Sequence, residues 1–371
     1  MVASEIHLIN FKNYVDQRIS LCEGINCILG PNGSGKTNFL DAIHFLALTK
    51  SAFSTPDKGA IRHDESFYSL KGTFFEGESE SFEVFTAFQN GRKKTFKYDG
   101  HEYEKLRDHI GKLPLVMISP FDQQIILGGS EDRRRLVDSV LCQVNQRYLN
   151  ALTKYNSLIK YRNAFLKQSS LSSYDKDLIT IHDNTIIELA IEVAQVRHEF
   201  IQNAMPSLTN YYTDIGGQEK KEIISVIYDT TVNQSGFRNQ FENTFEKDLL
   251  LQRTTLGVHK DDFSFLLNEY PLKKIGSQGQ QKTFLLAIKL ALFKFIKDSV
   301  GMTPLLLLDD IFDKLDDNRI EKLLALILSD DFGQIILTDA RPERTKRILD
   351  NQSVIKKYIT IIDAQVLPEQ V

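Results

Sequence analysis

Cysteine is scarce: 371 residues hold three, Cys22, Cys27 and Cys142. The number is odd and no pair has Cys-x-x-Cys spacing, which argues against a zinc or disulfide framework and fits a reduced compartment. Net positive charge is also missing. The formal charge is −4, so no overall basic field announces a nucleic acid, and any such surface must be local. No apolar run reaches the roughly 18 to 20 residues that cross a bilayer. The longest, Phe284–Ile296, is interrupted by Lys289 and Lys294. The opening MVASEIHLINFKNYVDQ has no basic segment followed by an apolar stretch, so no signal peptide is visible. Internal repeats and long low-complexity segments are absent too. These absences point to a cytoplasmic protein with no membrane partner. What is present is ordinary: 42% hydrophobic and 25% charged residues suffice for a sizeable core, and the length suits about two structural units.

Periodicity divides the chain. Ile6 and Leu8 alternate with polar neighbours, and Ile25–Leu29 is a short apolar run ending at Gly30, the pattern of a buried strand. Phe39, Leu40, Ile43, Leu46 and Ala47 then recur at helical spacing. Residues 67–98 are aromatic and β-branched, broken by EGESE and by Asn90-Gly91, which predicts antiparallel hairpins. LPLVMI at 113–118 reads as a further buried strand. From Glu131 to Lys167 the pattern is helical. The Ser-rich QSSLSSYDKD follows, then a second helical stretch from Asp177 to Met205, stopped by Pro206. These read as an antiparallel hairpin with two arms of ~45 to 55 Å. Strands are expected at 221–228, 263–267, 303–308 and 334–338, and a helix at 237–251.

Three segments carry chemistry. Gly30-Pro31-Asn32-Gly33-Ser34-Gly35-Lys36-Thr37 matches G-x-x-x-x-G-K-[ST] and lies between a buried strand and a helix. Glycines there let backbone N–H groups surround phosphate oxygens, Lys36 neutralises the β- and γ-phosphates, and the Thr37 hydroxyl ligates Mg2+. The cofactors expected are therefore ATP and Mg2+. Second, Leu305–Leu308 make a buried strand that ends in Asp309 and Asp310. Ligands collect at the carboxyl ends of such strands. Asp309 would hold Mg2+ and Asp310 would orient or deprotonate the attacking water. Alone, the pair reads first as a strand followed by an Asx turn, and the phosphate-loop motif upstream turns the reading to chemistry. Third, Ser277 and Gly279 precede an expected helix at 280–297, where a helix N-terminus offers unpaired N–H groups. They suit a γ-phosphate contact, and Ser277 also suits a helix cap.

Together these segments resemble the ATP-binding-cassette ATPases. Their signature loop begins Ser-x-Gly before the Walker B strand, and Asp313–Asp316 falls at the D-loop position. The resemblance is closer still to the RecF family, which is related to SMC proteins. "NFKNY" at 10–14, "GGSEDRRRLVD" at 128–138, "LGVHKDD" at 256–262, SQGQQK and LLLLDDIFDKLD all look like that family's segments, and they span nearly the whole chain. Val258, Ser130 and Asp339, the last at the switch-histidine position of transporters, depart from the patterns. The resemblance implies an α/β fold: an ABC-type P-loop ATPase head, with a mixed sheet and an antiparallel β subdomain, plus an inserted helical lobe. The head would comprise 1–130 and 251–371 and the helical lobe 131–250. It also implies an ATP-dependent head-to-tail homodimer in which each signature loop covers the ATP on the other's P-loop. Lys36 and Asp310 would be catalytic, Ser277, Gly279 and Asp316 would touch nucleotide, and Gln123 would be the glutamine-loop residue near the metal.

The family's activity would be slow, DNA-dependent ATP hydrolysis. Its partners would be double-stranded DNA near single-strand junctions, with RecR, RecO and, downstream, RecA, and its location the nucleoid-associated cytoplasm. Residues 131–170 add support of their own. They hold eight basic side chains against three acidic, a net of +5 in a chain of −4. Arg133, Arg134, Arg135, Lys154, Lys160 and Arg162 are the candidate phosphate contacts. A solvated face with internal ion pairs is the alternative, with Arg133 and Arg134 either paired to Asp138 or playing a role at the nucleotide site. His259 reads as structural. A different cassette ATPase, of transporter or defence type, is the competing function.

Overall fold

The computed structural model describes residues 1–53, 55–77, 81–168, 176–216, 222–232, 236–314, 316–329, 332–350 and 352–368. The Ser-rich break at 169–175, residues 78–80 of the EGESE turn and Leu315 lie outside them. The chain forms two units, one of residues 1–122, 214–216 and 286–371, the other of 123–213 and 217–285.

The first unit begins with β1 (Val2–Ile9), β2 (Asp16–Ser20), β3 (Ile25–Leu29), α1 (Lys36–Leu48), β4 (Phe67–Phe75), β5 (Phe82–Gln89), β6 (Thr95–Tyr98), β7 (His101–Glu102) and β8 (Leu115–Ile118). The second holds α2 (Gln123–Leu127), α3 (Ser130–Val144), α4 (Gln146–Gln168), α5 (Lys176–Gly216) up to Thr213, β9 (Ile224–Asp229), α6 (Phe237–Asn243), α7 (Phe245–Leu251), β10 (Asp262–Leu267), β11 (Tyr270–Pro271) and α8 (Leu272–Ile275). Helix α9 (Gln278–Val300) follows, then β12 (Leu305–Leu308), α10 (Asp317–Ile327), β13 (Ile335–Asp339), α11 (Pro342–Leu349), β14 (Lys356–Ile362) and β15 (Gln365–Val366).

Two sheets build the first unit. One is antiparallel, in the order β2-β1-β4-β5-β6-β7. Its β6–β7 hairpin turns on Asp99 and Gly100, both at positive φ (46° and 79°), the geometry that matches strand twist in a two-residue turn. The other runs β15-β14-β3-β13-β12-β8, parallel except for β15. Strands buried on both faces read as continuous apolar runs, and INCIL and LLLL are buried at every position. Helix α1 lies in the shared core, where Phe11, Phe45 and Tyr68 meet edge to face at 5.6 to 6.1 Å. Strand β14 has no forecast in the sequence. KKYITII is only half-buried and opens on two lysines, yet it pairs in parallel with β3.

The second unit corrects the helical hairpin. The stretch 131–167 is two helices, broken at Asn145, whose side-chain oxygen accepts the Tyr148 N–H at 2.9 Å and caps α4. Helix α5 does not stop at Pro206 but continues to Gly216. An internal proline costs a helix about 3 kcal/mol. Burial of Leu208, Tyr212 and Ile215 beyond it offsets that cost at roughly 1.5 to 3 kcal/mol per large apolar side chain. The arms are therefore unequal, 23 residues in α4 and 41 in α5. They run antiparallel, as Arg162 meets Asp183 and Arg147 meets Glu192. The expected boundaries at 130/131 and 250/251 fall instead at 122/123 and 285/286. The cause is β10, which is bound to α3 by the two hydrogen bonds Arg133 donates to Asp262 (2.7 and 2.9 Å). The small sheet β11-β10-β9 therefore goes with the helices.

Candidate nucleotide-binding site

The loop Gly30–Gly35 joins β3 to α1 at the carboxyl end of the parallel sheet. Gly30, Gly33 and Gly35 all take positive φ, and at two of them a side chain would also collide. Gly30 sits at φ +154°, and a Cβ there would lie 2.0 Å from the Ile361 carbonyl oxygen on β14. Gly35 sits at φ +111°, and a Cβ would collide with the Asn13 amide. The neighbours are specific. The Tyr14 hydroxyl donates to the Gly35 carbonyl at 3.0 Å, Asn38 donates to Asn13 at 2.8 Å, and the Ala364 N–H donates to the Ser34 carbonyl at 2.8 Å. The NFKNY segment and the C-terminal strand therefore brace the loop from two sides. Pro31, Asn32 and Gly33 are exposed at its tip.

Lys36 is buried (4% exposed), and its ammonium donates to the Gly30 and Pro31 carbonyls at 2.9 and 3.0 Å. Its third donor is uncommitted among the described residues. Ser34 is 2% exposed, and its hydroxyl has no hydrogen-bond partner among the described residues. A buried orphan hydroxyl is unusual, and here it sits in the phosphate loop.

Strand order brings the double aspartate to this loop. Neighbours in the sheet run β3, β13, β12, so Asp309 leaves β12 one strand beyond Thr338 of β13. The Thr37 hydroxyl donates to Asp309 at 2.9 Å to one carboxylate oxygen and 3.1 Å to the other. Thr338 donates to Asp309 at 2.8 Å and accepts the Asp310 N–H at 3.0 Å. Burial pushes the Asp309 carboxyl above its usual range, opposed by the hydrogen bonds from Thr338 and Thr37 and by the charge of Lys36. Asp310 has φ +43°, a left-handed conformation that aspartate tolerates better than most residues. Thr338 had no signal in the sequence beyond its place at a strand end. Thr338→Val keeps the shape but removes an acceptor from the Asp310 N–H and a donor from Asp309. It is expected to destabilise the protein by about 1–3 kcal/mol, measured by urea denaturation.

The signature segment lies in the second unit. Ser277 is exposed and caps α9. Its hydroxyl accepts the Gln280 N–H at 3.2 Å while Gln280 Oε1 accepts the Ser277 N–H at 2.7 Å, a reciprocal capping box. The helix starts at Gln278, two residues before the expected 280, and includes Gly279. Gln123 is exposed at the first position of α2. Asp316 is exposed and caps α10, where the Arg319 N–H holds its carboxyl below the usual range. Asp339, at the transporter switch position, is 1% exposed and bonded to Arg344 at 2.8 Å.

The basic candidates separate. Arg133 and Arg162 are corrected: they are 6% and 0% exposed, and their guanidinium groups are spent on carboxylates inside the fold. Arg162 donates to Asp248 at 2.6 Å and Asp183 at 2.8 Å. Arg134 is half-buried and donates to Ser130 and the Asp261 carbonyl. The partner foreseen for it, Asp138, is taken by Arg197 at 2.9 Å. Arg135 is exposed beside Glu131, and Lys154 and Lys160 are exposed on α4. His259 is structural: its ring meets the Tyr155 hydroxyl at 2.7 Å, and burial lowers its pKa to about 4.

Comparison with known proteins agrees with this arrangement. The family model of the RecF/RecN/SMC N-terminal domain matches residues 2–360. The DNA replication and repair protein RecF of Cytophaga hutchinsonii is 43% identical over 346 residues, 93% of this chain and 91% of that protein. The chain belongs to the RecF family. The RecF protein of Flavobacterium johnsoniae is 39% identical over 94% of this chain and 97% of its own. Among solved structures, the recombination mediator RecF with ATP, described as part of the RecFOR pathway, superposes with a TM-score of 0.88 at 26% identity. That match covers 98% of this chain and 96% of the other. An Smc head bound to the C-terminal winged-helix domain of ScpA has a TM-score of 0.56 at 16% identity and shares the fold. This is the SMC-like ATPase head that the motifs of the RecF family implied. Among the described residues, no helix is long and apolar enough to cross a membrane.

Proposed function

We propose that this RecF-family chain is an ATP-dependent DNA-binding recombination mediator. ATP joins two copies head to tail, the dimer holds duplex DNA near single-strand gaps, and slow DNA-dependent hydrolysis releases it. The observation that carries this reading is the Thr37–Asp309 hydrogen bond, because it joins phosphate loop and double aspartate into one site. Two hard oxygen groups suit Mg2+, which is commonly held by one or two protein groups plus substrate phosphates. Bound magnesium supplies charge neutralisation at the phosphates. In this reading Lys36 takes the β- and γ-phosphate charge, the Ser34 hydroxyl and loop N–H groups bind phosphate oxygens, and Asp310 orients the attacking water. Ser277 and Gly279 of one copy, with Asp316, complete the site on the other, and Gln123 approaches the metal. The family resemblance supplies RecR, RecO and RecA loading as the downstream context.

Magnesium at Asp309 competes with a proton. Because burial raises this carboxyl's pKa, metal-dependent hydrolysis is expected to fall as pH is lowered, at a higher pH than for an ordinary carboxylate.

For DNA, Arg135, Lys154 and Lys160 remain as exposed candidates. Removing one side chain that binds a DNA phosphate is expected to reduce the salt slope of duplex binding by about 0.9, so Lys154→Ala with Lys160→Ala should reduce it by about 2. Hydrolysis and dimerisation measured with and without gapped duplex at low salt test the whole reading. Stimulation by DNA supports it, and indifference to DNA in both measurements would favour a cassette ATPase of another kind.

A further inference from the structure

The Gln280 side chain is the hinge of the signature loop, and its orientation is a chemical choice. A carboxamide presents an acceptor on one side and two donors on the other, and the two ends are nearly equal in shape. In this loop the acceptor Oε1 must face the Ser277 N–H for the capping box to close. The opposite end, Nε2, donates to Glu222 at 2.8 Å. A carboxylate has no donor, so it accepts only the NH2 end. Glu222 therefore sets which way round Gln280 sits. Its other oxygen accepts the Tyr212 hydroxyl at 2.6 Å, and Tyr212 is 4% exposed near the end of α5.

We propose that Glu222 is a positioning residue for the signature loop: by accepting from Gln280 it fixes the carboxamide, closes the cap on α9 and holds Ser277 where a second copy's nucleotide needs it. The proposal rests on the signature-loop role put forward above. It also makes α5 the anchor of that loop, through Tyr212. None of these residues lies in the phosphate loop, so the effect falls on assembly and not on first binding of ATP.

Charge-assisted hydrogen bonds to a buried or half-buried carboxylate suggest the scale. Glu222→Ala is expected to weaken ATP-driven dimerisation about tenfold with ATP affinity of the monomer unchanged, and to lower the melting temperature a little because the buried Tyr212 hydroxyl loses its acceptor. Glu222→Lys offers donors only, favours the flipped carboxamide and is expected to be worse than alanine. Glu222→Gln keeps an acceptor and is expected to recover most of the loss. Combining Glu222→Ala with Gln280→Ala should add nothing to the worse single change. The measurement is sedimentation velocity against ATP concentration, alongside nucleotide titration of the monomer and Ser277→Arg as reference. If Ser277→Arg blocks dimerisation while Glu222→Ala and Glu222→Lys dimerise like the native chain, the positioning role is wrong and the signature loop stands. Equal losses in Glu222→Lys and Glu222→Gln, or a parallel fall in monomer ATP affinity, would also overturn it. If Ser277→Arg itself dimerises normally, the signature-loop role is what fails.

Discussion

Lys36→Met should abolish ATP-driven dimerisation and hydrolysis while leaving the fold in place. The side chain is buried at the mouth of the phosphate loop and donates to two of the loop's own carbonyls. Methionine fills similar volume without charge. In the proposed site, what is lost is the cation that would face the β- and γ-phosphates, and a charge-assisted contact of that kind is worth about 3 kcal/mol, roughly a hundredfold in affinity. Isothermal titration with ATP reads the loss directly. Thermal denaturation without nucleotide separates it from misfolding, since only two carbonyls of the loop lose a donor, that of Gly30 in a buried contact and that of Pro31 in a part-buried one.

Arg162→Met is expected to do the opposite, damaging the fold with no direct bearing on nucleotide. The guanidinium is fully buried, paired with Asp248 and Asp183, bonded to Thr254 at 2.9 Å and set against the Phe241 ring at 4.9 Å. Asp248 is itself 0% exposed. Removing one partner of a buried pair leaves an uncompensated charge, at a cost of about 3–5 kcal/mol. Lys160 is two residues earlier and exposed. Lys160→Met should change stability by no more than about 0.5 kcal/mol yet weaken duplex binding. Urea denaturation and DNA titration of both variants check the contrast. Similar stabilities would refute the burial argument for Arg162.

That contrast shows where sequence reading runs out. Arg162 and Lys160 sit in the same basic stretch, and only the helix phase and the distant Asp248 decide which of them faces inward. The phosphate loop and LLLLDD were legible because their function demands local spacing: a strand, a tight turn and a helix start, or a buried strand ending in carboxylates. The link between them was not. Thr338 joins Asp309 and Asp310 only because β13 lies between β3 and β12, a topological fact carried by no local pattern. Strand β14, half-buried and lysine-led, hid for the same reason, yet Ile361 forces glycine at position 30. Pro206 misled because the sequence shows the proline and hides the burial beyond it. SQGQQK was legible as a cap, Ser277 with Gln280 at the third helical position. Its tie to Glu222, 58 residues earlier, was not.

The central claim is that each nucleotide site is shared by two copies, the phosphate loop from one and the signature loop from the other. Mixing two dead variants tests it most directly. Lys36→Met should lack hydrolysis because it binds ATP too weakly, and Ser277→Arg because it cannot cover its partner's ATP. In a mixed dimer the intact phosphate loop of the Ser277→Arg copy meets the intact signature loop of the Lys36→Met copy, restoring one site of two. An equimolar mixture is then expected to recover hydrolysis, up to about a quarter of the native rate if copies pair at random. A mixture that remains as inactive as its components would contradict the shared site.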